Sequence, residues 1–147
     1  MEKAIVRQIR EFNRFFVRST GLLDRYIVSS GYSLTEAHIL NLIYENESTT
    51  ATEINSILKL DEGYLSRTIT KLVKLTLITK EQSMKDKRAY TLSLTKLGIN
   101  EYLKIDSYSS DAVIAKFSHL STEDQLRLVS CLQEVKGIVN KYDSYMQ

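Results

Sequence analysis

Proline is absent from this 147-residue chain and cysteine occurs once. Without proline, nothing forbids long uninterrupted helices. One cysteine, Cys131, cannot form an internal disulfide, which fits a reducing, cytoplasmic setting. No apolar run approaches the roughly 20 residues that span a bilayer. The basic start Met1-Glu2-Lys3 leads into an amphipathic segment and not an apolar signal core, so the expectation is a chain that is not exported. The two histidines, His38 and His119, lie far apart and no cysteine cluster accompanies them, so no metal site is expected. The chain also lacks a phosphate-cradling glycine loop, a nucleophile elbow and a carboxylate pair with a positioned partner. It does not read as an enzyme and calls for no cofactor. Asn46-Glu47-Ser48 matches a glycosylation acceptor, a chance match without secretion.

What is present is an ordinary globular composition, with 43% hydrophobic and 26% charged residues. The length suits a single domain over residues 1–147 with a sizeable core. The formal net charge of +2 is too small to argue for nucleic acid by itself, but it is unevenly spread. Residues 50–96 hold nine Lys/Arg against five Asp/Glu, whereas residues 31–49 hold three acids and no Lys/Arg. Residues 97–147 hold five Lys/Arg against seven acids. A local excess of cations is the footprint of a phosphate-binding surface, because each neutralised phosphate releases counterions.

That basic region contains the most structured stretch, Thr49 to Leu94. It reads as two short helices joined by a tight turn, then a strand, a charged tip and a second strand. In the second helix Leu65, Ile69, Leu72 and Val73 recur at helical spacing, leaving Glu62, Gly63, Ser66, Arg67, Thr70, Lys71 and Lys74 on the other face. Hydroxyls and guanidinium groups on such a face suit base edges and phosphates in a major groove. Leu77 to Gln82 and Ala89 to Leu94 alternate well enough to pair as a hairpin. Its tip is Ser83-Met84-Lys85-Asp86-Lys87-Arg88.

Helix, turn, helix and a basic-tipped hairpin make a winged helix-turn-helix, and here the chain resembles the MarR-type transcription regulators. Three segments carry the likeness: Asp61-Glu62-Gly63-Tyr64-Leu65-Ser66-Arg67 in the helix pair, Asp86-Lys87-Arg88 at the wing tip, and Leu94-Thr95-Lys96-Leu97-Gly98 at the exit into the next helix. Phe12-Asn13-Arg14-Phe15-Phe16, Gly21-Leu22-Leu23 and Ser33-Leu34-Thr35-Glu36-Ala37, with Gly63 to Arg67, are further similar to the subgroup often fused to a GNAT acetyltransferase, here without the enzyme domain. The resemblance implies a mainly α fold with a small β-hairpin wing, and a sequence-specific DNA-binding regulator, in form a homodimeric repressor of a pseudo-palindromic operator. One departure stands out. Thr76 occupies the position where the family usually has glycine; if the left-handed conformation were kept there, threonine would cost about 1 to 2 kcal/mol, so the exit of this helix is expected to differ.

The flanks extend this core, expected over 33–96, with dimerisation helices expected over 1–30 and 97–147. Glu2 to Val28 carries Ile5, Ile9, Phe12, Phe16, Leu23 and Ile27 as one stripe, a helix of about 40 Å. Thr35 or Ser33 caps the next helix, whose buried side is Ile39, Leu40, Leu42 and Ile43. Asn46 to Thr50 reads as a polar turn. Thr50 or Thr52 begins a helix packed through Ile54, Ile57 and Leu58, and Asp61 caps the recognition helix. Thr95 caps a helix that carries Tyr102, Ile105 and Val113. Ser121 and Asp124 open the last one, striped with Leu128, Leu132, Val135, Ile138, Val139 and Tyr142. Cys131 sits on that stripe side as a small hydrophobe.

For DNA contact the expected residues are Thr50, Thr52, Gly63, Tyr64, Ser66, Arg67, Thr70 and Lys71, with Lys85, Lys87 and Arg88 on the wing. Asp86 is expected to orient Arg88 or Arg67. In the resembled family small aromatic ligands often bind between the dimerisation region and the winged core. Phe12, Phe16, Tyr26, Tyr32, His38 and Tyr44 form the candidate pocket here, or are simply core aromatics. Two other functions stay open: a dimeric protein-interaction module that has lost DNA binding, and a sensory half acting with a separate acetyltransferase.

Overall fold

The computed structural model describes residues 1–83 and 89–143, and the side chains among these other than those of 20–29 and 142–143. The chain divides into two compact units, Met1–Ser110 and Asp111–Gln147. The first holds α1 (Lys3–Ser29), α2 (Leu34–Glu45), β1 (Ser48–Thr50), α3 (Ala51–Leu58), α4 (Glu62–Lys74), β2 (Ile78–Gln82), β3 (Tyr90–Leu94) and the start of α5 (Lys96–Phe117). The second holds the end of α5 and α6 (Thr122–Asp143). The fold is mainly helical with one small antiparallel sheet, a winged helix-turn-helix.

The starts of α2, α3, α4 and α6 each carry a sequence signal. Ser33 accepts the Glu36 amide while the Glu36 carboxylate takes the Ser33 amide, and Thr50 and Glu53 repeat that reciprocal cap at α3. Asp61 Oδ1 accepts from the Tyr64 amide at 2.8 Å. Each such cap is worth about 1 kcal/mol because it satisfies amides the helix cannot. Ser121 opens α6 in the same way, with the Asp124 amide donating to its hydroxyl.

The core of the first unit gathers Ile39, Leu40 and Ile43 from α2, Ile54 from α3, Leu65, Ile69 and Leu72 from α4, Leu77, Ile78 and Leu92 around the sheet, and Tyr102 and Ile105 from α5. Burying each large aliphatic side chain contributes about 2 kcal/mol relative to exposure. Ile57, expected inside, is exposed. Leu58 is the one that packs against the core. On an eight-residue helix Ile57 falls on the rim, about 60° from Ile54 on the side away from Leu58. Residues Asn46 to Thr50, expected as a turn, contain a third strand: β1 pairs with β3, Thr49 opposite Leu92. The sheet order is therefore β1-β3-β2, with Lys80 opposite Leu92 and Gln82 opposite Tyr90 on the other side.

The exit of the recognition helix, expected to differ because threonine replaces the family's glycine, keeps the left-handed stop. Thr76 has φ +57°, the left-handed region. The Leu77 amide donates to Leu72 O at 3.0 Å and the Thr76 amide to Val73 O at 2.9 Å. This is the six-to-one and five-to-two pattern of a Schellman stop, and its apolar contact falls between buried Leu72 and Leu77. Directly beyond, the Thr95 hydroxyl donates to Thr76 O at 2.7 Å and accepts the Gly98 amide at 2.9 Å, so one threonine locks the α4 exit and caps α5.

On α5 and α2, Tyr102 donates to Asn41 Oδ1 at 2.8 Å and its ring centre lies 4.3 Å from that of Tyr44. Along α1 the stripe of Ile5, Ile9, Phe12 and Phe16 is exposed, as are Leu132, Val135, Ile138 and Val139 of α6 in the second unit. Among the described residues no helix is long and apolar enough to cross a membrane.

Candidate nucleic-acid interface

The outward face of α4 is built by its inward one. Leu65, Thr68, Ile69 and Leu72 are buried, which turns Ser66, Arg67, Thr70, Lys71 and Lys74 to solvent. Those five line a shallow trough of about 370 Å³ along the helix. Thr68, a polar residue on the buried side, is satisfied by donating to Tyr64 O at 2.9 Å. Thr70 likewise donates to Ser66 O at 2.8 Å, leaving its oxygen as an acceptor. Gly63 leaves space for Arg67: a β-carbon at 63 would stand 3.2 Å from Arg67 Nη1.

Beside the trough, α3, α4 and the strands enclose a groove of about 660 Å³, lined in part by Thr52, Asn55, Glu62, Ser66, Lys80 and Tyr90. The Lys80 ammonium sits 4.6 Å from the centre of the Tyr90 ring, a cation–π contact at the root of the wing. The groove is thus walled by a helix pair on one side and a strand pair on the other. Hydroxyl, amide, phenol and ammonium groups that meet phosphates and base edges line it, together with the Glu62 carboxylate, which does not.

The expected contacts are not equivalent. Gly63, Tyr64, Ser66, Arg67, Thr70 and Thr52 are exposed. Thr50 is half-buried and its hydroxyl is spent on the cap, donating to Glu53 Oε2 and accepting the Glu53 amide. The Glu53 carboxylate also accepts the Thr50 amide at 2.7 Å and the Thr49 hydroxyl, and the bonds from the Thr50 amide first, then from the Thr49 and Thr50 hydroxyls, hold it below the ordinary range. Lys71 is paired: its ammonium is 2.6 Å from Glu36 Oε1, on α2. Lys85, Asp86, Lys87 and Arg88 lie outside the described residues.

The candidate pocket residues are distributed along the first two helices and the loop between them. Phe12 and Phe16 stack on each other one turn apart on α1, with ring centres 5.6 Å apart. Tyr44 lies tilted against Tyr102, and the Tyr32 hydroxyl donates to Glu101 Oε2 at 3.2 Å. Burial and the neighbouring Glu101 carboxylate push the Tyr32 phenol up. His38 is exposed, and the side chain of Tyr26 is not among those described. Among the described residues no group of histidine, cysteine and acidic side chains could hold a metal ion. Cys131 is exposed.

Glu36 is the residue the sequence reading passed over. Its signal was present: Ser33-x-x-Glu36 is a capping box, and Glu36, Leu40 and Ile43 share one helix face. That face is buried, so a carboxylate on it needs a partner.

Residues 32–90 match the family model described as MarR family. A Bacillus subtilis (strain 168) protein, described as the uncharacterized HTH-type transcriptional regulator YkoM, is 34% identical over 105 residues, which cover 71% of this chain and 68% of that one. Among solved structures, a MarR transcriptional regulator from Methanosarcina mazei Go1 superposes with TM-score 0.75 at 20% identity, covering 96% of this chain and 99% of that one. A mutant MarR from E. coli complexed with operator DNA superposes with TM-score 0.68 at 21% identity, covering 90% and 94%.

Proposed function

The chain belongs to the MarR family of transcription regulators, and from that premise we propose that it is a homodimeric repressor that binds a pseudo-palindromic operator. The observation that carries this reading is the outward face of α4, where Ser66, Arg67, Thr70 and Lys74 are exposed along a trough beside the wing-walled groove. Arg67 is the residue for a guanine edge, because its fork matches the O6/N7 acceptor pair. Ser66 and Thr70 supply short polar contacts, and Thr52 and Tyr64 border the phosphates. Arg88, with Lys85 and Lys87, reaches the minor groove from the wing, where narrow A·T-rich segments attract guanidinium.

Two-fold pairing is supported by the apolar residues that α1 and α6 leave exposed. Stripes of that length on a soluble regulator call for a partner surface, and an isologous dimer supplies it. Two recognition helices about 34 to 36 Å apart would then read half-sites one DNA turn apart. Release by a small aromatic ligand completes the cycle. The tilted ring pair of exposed Tyr44 and buried Tyr102 supports it as an aromatic place for such a ring to dock.

The test is a mobility shift with DNA from upstream of the chain's own coding region, run beside light scattering on the free protein. A retarded complex and a dimer mass are expected. A stable monomer, or no shift at 50 mM salt with any fragment, overturns the reading. For the ligand, salicylate is the probe: it must weaken DNA binding and be bound more weakly by the DNA complex to the same extent.

A further inference from the structure

Lys71 stands in line with Arg67 and Lys74 on the face that the proposed function gives to DNA, yet its charge is already matched. The Glu36 carboxylate that meets it has a side chain only 5% exposed, whereas the Lys71 side chain is 59% exposed. The other Glu36 oxygen accepts the Ser33 amide at 2.8 Å, which pins the carboxylate at the start of α2. The pair therefore has a fixed end and a free end: the acid cannot swing out to solvent, and the ammonium is drawn back to it.

We propose that Glu36 is a positioning residue that damps the sequence-independent grip of the recognition helix on DNA. It holds Lys71 neutralised against the protein, so this cation takes no phosphate. Non-specific affinity is almost wholly a matter of how many phosphates are neutralised, each adding about 0.9 to the slope of log K against log salt. A lysine that already has a buried counter-charge releases no counterion when DNA arrives. Groove recognition is left to Arg67, Ser66 and Thr70, and the helix slides over unrelated sequence with one fewer anchor per subunit.

The inference rests on the DNA-binding reading, and one experiment separates the two. Full-length wild type, Glu36→Gln, Lys71→Gln and the double variant are titrated by fluorescence anisotropy onto a labelled 30-bp duplex of random sequence from 50 to 300 mM KCl. Glu36→Gln should bind more tightly, by about eightfold per subunit at 0.1 M salt, with a slope steeper by about 0.9 per subunit. Lys71→Gln alone should leave the slope unchanged, and in the double variant the gain should vanish. A flatter slope for Lys71→Gln in the wild-type background, or an unchanged slope for Glu36→Gln, overturns the proposal while leaving the regulator reading intact. Absence of wild-type binding to any duplex removes both. If Glu36→Gln does not fold, Lys71→Gln decides alone, because its amide can still donate to the buried carboxylate: an unchanged slope supports the proposal and a flatter one ends it.

Discussion

Gly98 presses against the backbone of Leu77: a β-carbon at position 98 would lie 1.9 Å from the Leu77 carbonyl oxygen and 2.9 Å from its carbonyl carbon. The same oxygen accepts the Thr95 amide at 3.0 Å. The glycine four residues after Leu94 is thus the place where the first turn of α5 closes on the end of the recognition helix. Gly98→Ala should destabilise the chain by about 3 kcal/mol, because backbone and not a flexible side chain must move. Gly137, in α6, meets nothing within 4 Å. Gly137→Ala should stabilise by about 0.5 to 1 kcal/mol. Urea denaturation of both variants checks the contrast.

Thr76 keeps the left-handed stop without the residue best suited to it. Thr76→Gly should raise stability by about 1 kcal/mol, the relief of the side chain's clash with its own backbone less the greater freedom of glycine in the unfolded chain. The shift in the urea midpoint, at unchanged m-value, measures it. A loss of stability would mean that the Thr76 hydroxyl bond to Leu75 O outweighs the strain.

The ion pair at Glu36 predicts a pH dependence. Burial pushes this carboxyl up, but the Lys71 ammonium and the Ser33 amide and hydroxyl outweigh it and hold the value below the ordinary range. A carboxyl lowered in the folded state contributes stability that is complete above its unfolded value, about 4.3, and is lost as pH falls through the folded one. Glu36→Gln should cost about 1 kcal/mol near pH 7 and show a shallower fall between pH 5 and 2. Glu53 and Glu101, lowered in the same direction by hydrogen bonds, supply the slope that remains. Stability curves of the two proteins that run parallel through this range would remove Glu36 as the source.

The two arginines should fail differently. Arg67→Ala should lose about 1 to 3 kcal/mol of discrimination at one base pair of each half-site. Arg88→Ala should weaken operator binding and flatten its salt slope by about 0.9 per subunit. Competition titrations with single-base operator variants over a salt series read both effects.

Local patterns made most of this fold legible. The α4 face could be drawn from the spacing of Leu65, Ile69 and Leu72, whereas a left-handed stop at Thr76 was suggested only by the glycine that the resembled family usually has there. β1 could not be drawn. Ser48-Thr49-Thr50 has neither length nor alternation, and it is extended because β3, some 40 residues later, offers it a partner. The tie of Glu36 to Lys71 was hidden for the same reason, since it exists only once α2 and α4 share a core. The choice between Ser33 and Thr35, or Thr50 and Thr52, was decidable: glutamate three residues on marks Ser33 and Thr50 as the reciprocal caps.

β3 lies in the middle of its sheet, bonded on one edge to the strand that leads into α3 and on the other to the outer strand of the wing. Wing and helix pair are therefore splints of one another. Tilting the hairpin levers Thr50 and the start of α3 with it, so neither can adjust to DNA alone. In the proposed dimer, any change in reach between the two heads has to be made by joints lying before Ser48 or after Leu94, and mutations that tune the proposed ligand response without touching DNA affinity should collect there.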